Sequence, residues 1–351
     1  MVKAIASIPH QMRVDTHRVD YIKTINTAID YPFQSEDGRE PSPFHKQLEL
    51  KCREYTNISY WQFTNCCTDA LQIAFHTLCN VGDTVIVPAY GWRAIVNAPW
   101  FVGMNVIFCD IDSTGNVDLE QMQEMIKQYQ PKAILIVHNF GVIVDFSKIV
   151  STCKLFGVSI IEDAAPSFTM NEPYSYKLGS LSDIVCFSFD FTKSPGCLGA
   201  GGAIATNNSD IAKLIKTICS HTTDGNLIGT KSYLDTTSAA VLLKDMELIE
   251  TNNYRAKRRA VAEFYKNNLP FEMLKGTNYI YHRFIIFPKD KQQVLSLFNS
   301  KKILAKSVFK ANTKNCTMAA KFSETAVELP CHHFIDIDDL QERVKGLAWT
   351  S

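Results

Sequence analysis

No surplus of charge of either sign marks this chain. Its 351 residues carry 36 Lys and Arg against 36 Asp and Glu, so the formal net charge is zero. That balance argues against a nucleic-acid surface and against a polybasic membrane patch. It also leaves little colloidal repulsion, which is compatible with an oligomer. No apolar run approaches the roughly 18 residues of a membrane span. The opening MVKAIASIPHQMRVD lacks the hydrophobic core of a secretion signal. No CxxC pair occurs among the 11 cysteines, which are scattered through apolar strand-like segments (Cys109, Cys186) and helix-like ones (Cys52, Cys219). A zinc site or a disulfide framework is therefore not expected, whereas buried reduced thiols in a cytoplasmic protein are. Low-complexity segments and internal repeats are missing too. What is present, 46% hydrophobic and 21% charged residues, suits a globular chain of one large and one smaller domain.

Short apolar runs alternate with helix-like segments through most of the chain. TVIVPAY (84–90), NVIFCDID (105–112), AILIVHNFG (133–141) and VSIIEDAAP (158–166) read as strands, with DALQIAFHTLC (69–79), LEQMQEMIKQY (119–129) and SKIVSTCKLFG (147–157) as helices between or before them. Residues 44–56 read as a helix and WQFTN (61–65) as a short strand, while residues 1–43 read as irregular, ending in the loop DGREPSP. Such alternation predicts an α/β fold with a mostly parallel sheet. Near residue 240 the pattern changes to one long helix, roughly 238–268, followed by strands around YIYHRFIIF. The expected division is a large domain over 1–245 and a small C-terminal domain over 246–351.

A single ammonium stands in FSFDFTKSPGCLGAGGAIAT, residues 187–206. Val185, Phe187 and Phe189 alternate with Cys186, Ser188 and Asp190, which predicts a strand. Gly196, Gly199, Gly201 and Gly202 precede a second apolar run, so a tight hairpin is expected whose backbone approaches a ligand closely. Most lysines are solvated surface groups. One held here is partly desolvated, which lowers its pKa and favours Schiff-base chemistry.

Strand ends in an open α/β sheet present ligand-binding residues. Asp163 ends the buried run IIED and needs a cationic partner to stay ionised, such as a protonated pyridine nitrogen. It reads equally well as the cap of a following helix. In NCCTDAL, Cys67, Thr68 and Asp69 offer N–H groups at a helix start, where phosphate binds readily, although Thr68 also suits an ordinary cap. Trp92 follows a strand end in PAYGWRA and reads as a stacking surface or as a core residue. Ser188 can hydrogen-bond a phosphate or simply face solvent.

These landmarks together, FTNCCTDAL, GDTVIVPAYGW, NVIFCDID, ILIVHNFG, VSIIEDAA, LGSLSDIVCFSFDFTK and GAGGAIAT, resemble the DegT/DnrJ/EryC1/StrS sugar-nucleotide aminotransferases over about residues 43–345. The resemblance implies a fold-type-I enzyme of the aspartate-aminotransferase fold. Its large domain would hold a mostly parallel seven-stranded sheet flanked by helices, beside a smaller α+β domain. The implied cofactor is pyridoxal 5'-phosphate, alternating with pyridoxamine 5'-phosphate, and no metal is implied. On the same basis Lys193 bonds the cofactor and moves protons, Asp163 pairs with its pyridine nitrogen and Trp92 stacks on its ring. Ser188, Cys67 and Thr68 would hold its phosphate, and Lys231 would reach the phosphate of a partner subunit in a homodimer with shared sites.

The implied reaction moves the amino group of L-glutamate to a nucleotide-linked keto-deoxysugar. A 4-keto-6-deoxyhexose, giving a viosamine- or perosamine-type 4-amino-4,6-dideoxy sugar, is the first expectation and a 3-keto sugar the second. A non-catalytic sugar-nucleotide-binding relative is the rival from another class. Three positions depart from the family pattern. Cys66-Cys67-Thr68 stands for the usual Ser-Gly-Thr, so a Cβ at Cys67 narrows the loop. Pro166 stands where Gln or His usually meets the cofactor's phenolate oxygen, with Asn139 and Ser167 as substitutes. The surroundings of Lys231 diverge.

Overall fold

In this computed structural model, residues 4, 5, 10–31, 41–168, 177–220, 228–345 and 347 are described. Two helices open the chain, α1 (His10–Ile29) and α2 (Pro43–Thr56). The first of them contradicts the irregular reading of residues 1–43. Its buried positions include Arg13, His17 and Tyr21, one face at a spacing of four that carries two polar side chains, so no apolar period betrays the helix. The DGRE part of the expected loop lies outside the described residues.

The alternation in the sequence is realised as β1 (Tyr60–Thr64), α3 (Cys67–Leu78), β2 (Thr84–Pro88), α4 (Ala94–Phe101), β3 (Asn105–Cys109), α5 (Leu119–Tyr129), β4 (Ala133–Val137), α6 (Ser147–Phe156), β5 (Ser159–Asp163), β6 (Ile184–Ser188), β7 (Gly202–Thr206) and α7 (Ser209–Cys219). The strands form one seven-stranded sheet in the order β1-β7-β6-β5-β4-β2-β3. From β6 to β3 the neighbours are parallel, and β7 and β1 are added antiparallel at one edge.

Both faces of the central strands are covered, which is why their sequences are continuous apolar runs. Ile86, Ile134, Ile136, Ile160, Val185 and Phe187 pack on one face against residues of α2, α5 and α6. Val85, Val87, Leu135, Val137, Ile161, Ile184 and Cys186 pack on the other against α3, α4 and α7. With a side-chain period of two, Asp163 follows Ile161 and Ser188 follows Cys186 onto the α3 side.

After the sheet come α8 (Thr236–Thr251) and α9 (Tyr254–Asn268). These replace the single long helix expected over 238–268. The break lies at Asn253, whose φ of 52° is left-handed, a conformation that asparagine adopts more readily than most residues. The remaining elements are β8 (Glu272–Met273), β9 (Phe284–Phe287), α10 (Lys291–Ser300), β10 (Lys306–Ser307), α11 (Thr317–Thr325), β11 (Val327–Leu329) and α12 (Ile337–Val344). Their strands form an antiparallel sheet, β10-β11-β9-β8, on a separate core containing Val261, Tyr265, Phe298 and Leu340. All 11 cysteines are free thiols. Among the described residues no helix is long and apolar enough to cross a membrane.

Candidate active site

The site is built on the carboxyl ends of the parallel strands. β5 delivers Asp163, paired in register with Cys186 of β6, and Ser188 ends β6 opposite Gly202 of β7. Gly202 is required here because a Cβ at this position would lie 2.3 Å from the Cys66 carbonyl carbon and 2.5 Å from the Cys67 nitrogen. That clearance lets the start of α3 press against the strand ends, so its first-turn N–H groups and the Ser188 hydroxyl share one corner, a setting suited to an anion. Cys66 caps the helix, its sulfur accepting from the Asp69 N–H.

Asp163 is 5% exposed, and one carboxylate oxygen accepts the Ala165 N–H at 2.9 Å. Burial holds its carboxyl above the ordinary carboxylate range, against the pull of the Ala165 N–H, Lys193 and His138. Behind it stands a closed relay. His138 accepts the Val144 N–H at 3.0 Å and therefore donates its other ring proton to Glu162 at 2.8 Å. Glu162 also accepts from Gly179 and Ser182, so the floor under Asp163 is rigid and satisfied.

Lys193 stands in the connection from β6 to β7. This is an antiparallel pair as expected, but residues 189–201 form an ordered loop, not a tight hairpin. The loop is stitched by Phe189 to Gly201, Phe191 to Gly199 and Cys197 to Phe189 backbone bonds. Arg13 then locks it. Its guanidinium donates to the carbonyls of Lys193 (3.0 Å), Phe191 (2.9 Å) and Cys197 (3.0 Å) and pairs with Asp245 of α8 at 3.1 Å. Asp245 also accepts the Gly196 N–H and the Tyr21 hydroxyl. Both charges are 2% exposed, and such a pair keeps its place only with this many partners.

Lys193 is half-buried. Burial lowers its amine from the ordinary value and the Arg283 guanidinium pushes the same way, while Cys67, Asp163 and Asp190 oppose. Lys193 and Asp163 sense one another yet form no ion pair, and the Lys193 amine makes no hydrogen bond among the described residues. Cys67 faces the same space. Burial pushes its thiol well up, with Asp163 adding, so it is a neutral group beside the reactive pair.

Other expected residues are placed differently. Trp92 is 68% exposed, so the core alternative does not describe it, and its indole meets Phe309 edge-on at 6.1 Å between centroids. Thr68 is half-buried in the first turn of α3. Lys231 is exposed, its ammonium 5.5 Å from the centre of the Tyr233 ring. Its backbone docks on the start of α3 through Asn65, and neighbouring Ser232 donates to Asp69 at 2.7 Å. Near Pro166, Asn139 spends both amide protons on the carbonyls of Tyr90 and Gly115, and Ser167 donates to the His138 carbonyl.

The segment just before β9 adds two groups that the sequence reading passed over, His282 and Arg283. Burial keeps the His282 imidazole well below its ordinary value, with Lys193 and Arg283 adding, so it is neutral. The signal available was a basic pair interrupting the apolar strand YIYHRFIIF. Arg13 and Asp245 were also missed; an acid among the apolar residues of VLLKDMELIE was their only trace.

These residues suit pyridoxal 5'-phosphate. A buried, protonation-prone carboxylate awaits a cation, an unpaired amine faces it, and an anion corner lies beside both. Known proteins resemble this chain. A UDP-2-acetamido-2-deoxy-3-oxo-D-glucuronate aminotransferase of Pseudomonas aeruginosa is 33% identical over 225 residues, 62% of each chain, so the present chain spans about three fifths of that relative's length. The GDP-perosamine synthase of Escherichia coli O157:H7 is 28% identical over 70% of this chain and 67% of its own. The solved structure of ntda from Bacillus subtilis with bound cofactor PMP superposes with a TM-score of 0.79 at 25% identity, covering 93% of this chain and 80% of that one. The family description DegT/DnrJ/EryC1/StrS aminotransferase matches residues 20–347, and the chain belongs to that family.

Proposed function

We propose that the protein is a pyridoxal 5'-phosphate-dependent aminotransferase that moves the amino group of L-glutamate to the ketone of a nucleotide-linked sugar. The observation that carries this reading is the facing of Lys193 and Asp163, both desolvated, mutually perturbed and unpaired, over the start of α3. Bound there, the cofactor supplies an aldehyde that accepts amines and a ring that withdraws electrons. Asp163 holds a proton on the ring nitrogen, and the cation in turn restores its carboxylate to the ionised form. Lys193, with its ammonium destabilised by burial, is available as the free amine that bonds the cofactor and carries protons. Ser188, Thr68 and the N–H groups at Cys67 and Thr68 take the phosphate, and Trp92 offers the ring a face. The two domains divide at about residue 245.

Lys231 acts across a two-fold axis, on the phosphate held by the partner subunit. Its backbone already abuts the start of its own α3, so an axis passing close by sets each lysine near the other site. Mixing inactive Lys193→Ala and Lys231→Ala proteins should then restore activity, because each heterodimer regains one intact site. Heterodimers that form and stay inactive contradict this arrangement.

The first reading, from the sequence resemblance, is a ketone at C4 of a 6-deoxyhexose; the second, supported by the 3-oxo substrate in the name of the Pseudomonas relative, is a ketone at C3. Incubation with glutamate and a panel of nucleotide 3-keto and 4-keto sugars, with products identified by NMR, tests both. Formation of an amino sugar with loss of one amino group from glutamate per turnover is expected. A protein that binds the cofactor and transfers nothing to any keto sugar overturns the reading.

A further inference from the structure

Arg283 is held rigidly above the strand ends. The segment leading to it is bonded to the turn after β4. Ile143 donates to the Asn278 carbonyl (3.0 Å), Ile280 to that of Gly141 (2.9 Å) and Arg283 to that of Phe140 (3.2 Å). Gly141, at φ +87°, permits the contact, since a Cβ there would lie 2.6 Å from the Ile280 side chain and 3.0 Å from His282. The guanidinium lies 5.8 Å over the Phe309 ring, itself stacked on Phe140 at 5.7 Å and touching Trp92 edge-on.

One edge of the fork is used. Nη1 donates to Glu328, which is 3% exposed and also faces Lys306 at 3.6 Å. Nε and Nη2 have no hydrogen bond among the described residues, and neither is buried from solvent. Two cations thus share one buried anion, leaving one positive charge in a partly desolvated wall. A planar fork with free parallel N–H groups matches a carboxylate in both charge and shape.

We propose that Arg283 is a carboxylate-binding residue of this site, so that one of the reactants presented to Lys193 is recognised through a carboxylate. This rests on the aminotransferase reading above. The carboxylate belongs either to the amino donor or to an acidic sugar, and the experiment separates the two.

Unfolding midpoints of the cofactor-loaded protein are measured at constant ionic strength with glutarate, with D-glucuronate and with neutral glucose as control, for wild type, Arg283→Gln and Arg283→Lys. The two half-reactions are followed separately, with glutamate and with nucleotide keto sugars with and without a carboxylate. Loss of the glutarate-induced shift, with about a tenfold or larger rise in the glutamate concentration for half-saturation in Arg283→Gln, assigns the site to the donor. The same pattern with glucuronate and only the acidic sugar assigns it to the sugar. Arg283→Lys should restore part of the effect, because it keeps the charge and loses the fork.

Should Arg283→Gln fail to fold, Glu328→Gln decides. Removing the counter-ion should tighten carboxylate binding, whereas a purely structural pair would show no gain. Wild-type shifts and half-saturation in Arg283→Gln, or no gain in Glu328→Gln, overturn the proposal. An Arg283-dependent glutarate or glucuronate shift in a protein without transferase activity would keep this inference and reject the aminotransferase reading. Transfer that ignores Arg283 would do the reverse.

Discussion

Lys193→Ala eliminates turnover, by at least about a thousandfold or roughly 4 kcal/mol of barrier, while the fold survives. On the proposed function this amine both bonds the cofactor and carries protons. Its removal also takes a polar amine out of a desolvated setting, so the thermal stability of the cofactor-free protein is expected to stay level or rise, the usual relation at a strained functional position. Two measurements are needed. Rates report the chemistry, and intact mass after borohydride reduction reports attachment, present in wild type and missing in the variant. Turnover near the wild-type rate, or cofactor still fixed to the variant chain, would remove Lys193 from its role.

Asp163→Asn should slow transfer by on the order of a hundredfold, about 2.7 kcal/mol, and weaken cofactor retention. The amide keeps the size of the carboxyl and can still accept the Ala165 N–H. It cannot compensate a positive charge on the ring nitrogen. The choice of Asn therefore separates two roles that Ala would merge. A loss below about tenfold would leave Asp163 as the local partner of Ala165 and nothing more, because the charge would then be unused. Equilibrium dialysis of the cofactor, which does not depend on turnover, should move in the same direction.

Both of these residues stand out in the sequence because their context is local. Asp163 closes an apolar strand and Lys193 interrupts a stretch of small and aromatic residues; each is read within a window of about ten positions. The sheet was legible for the same reason, since strands buried on both faces read as unbroken apolar runs. The partners that position Lys193 were not. Arg13 and Asp245 are 232 positions apart, and each looks like an ordinary helix-surface charge until the fold brings them together. Helix α1 was hidden because its buried face is polar. The junction between α8 and α9 was hidden because asparagine, unlike glycine or proline, gives little warning of a left-handed residue. Arg283 fell inside a strand pattern that was read for its apolar residues alone.

The bracket formed by Arg13 has a consequence for how the protein behaves as a thermodynamic unit. One guanidinium joins helix α1 to three carbonyls of the loop that carries Lys193. Docking of that helix and ordering of that loop are therefore linked equilibria, and linkage is reciprocal. Whatever steadies the loop in the cleft must steady α1 by the same free energy, and whatever loosens α1 must be felt as a weaker hold on the cleft's occupant. A segment remote in sequence from every reactive side chain thus reports on, and sets, the readiness of the site.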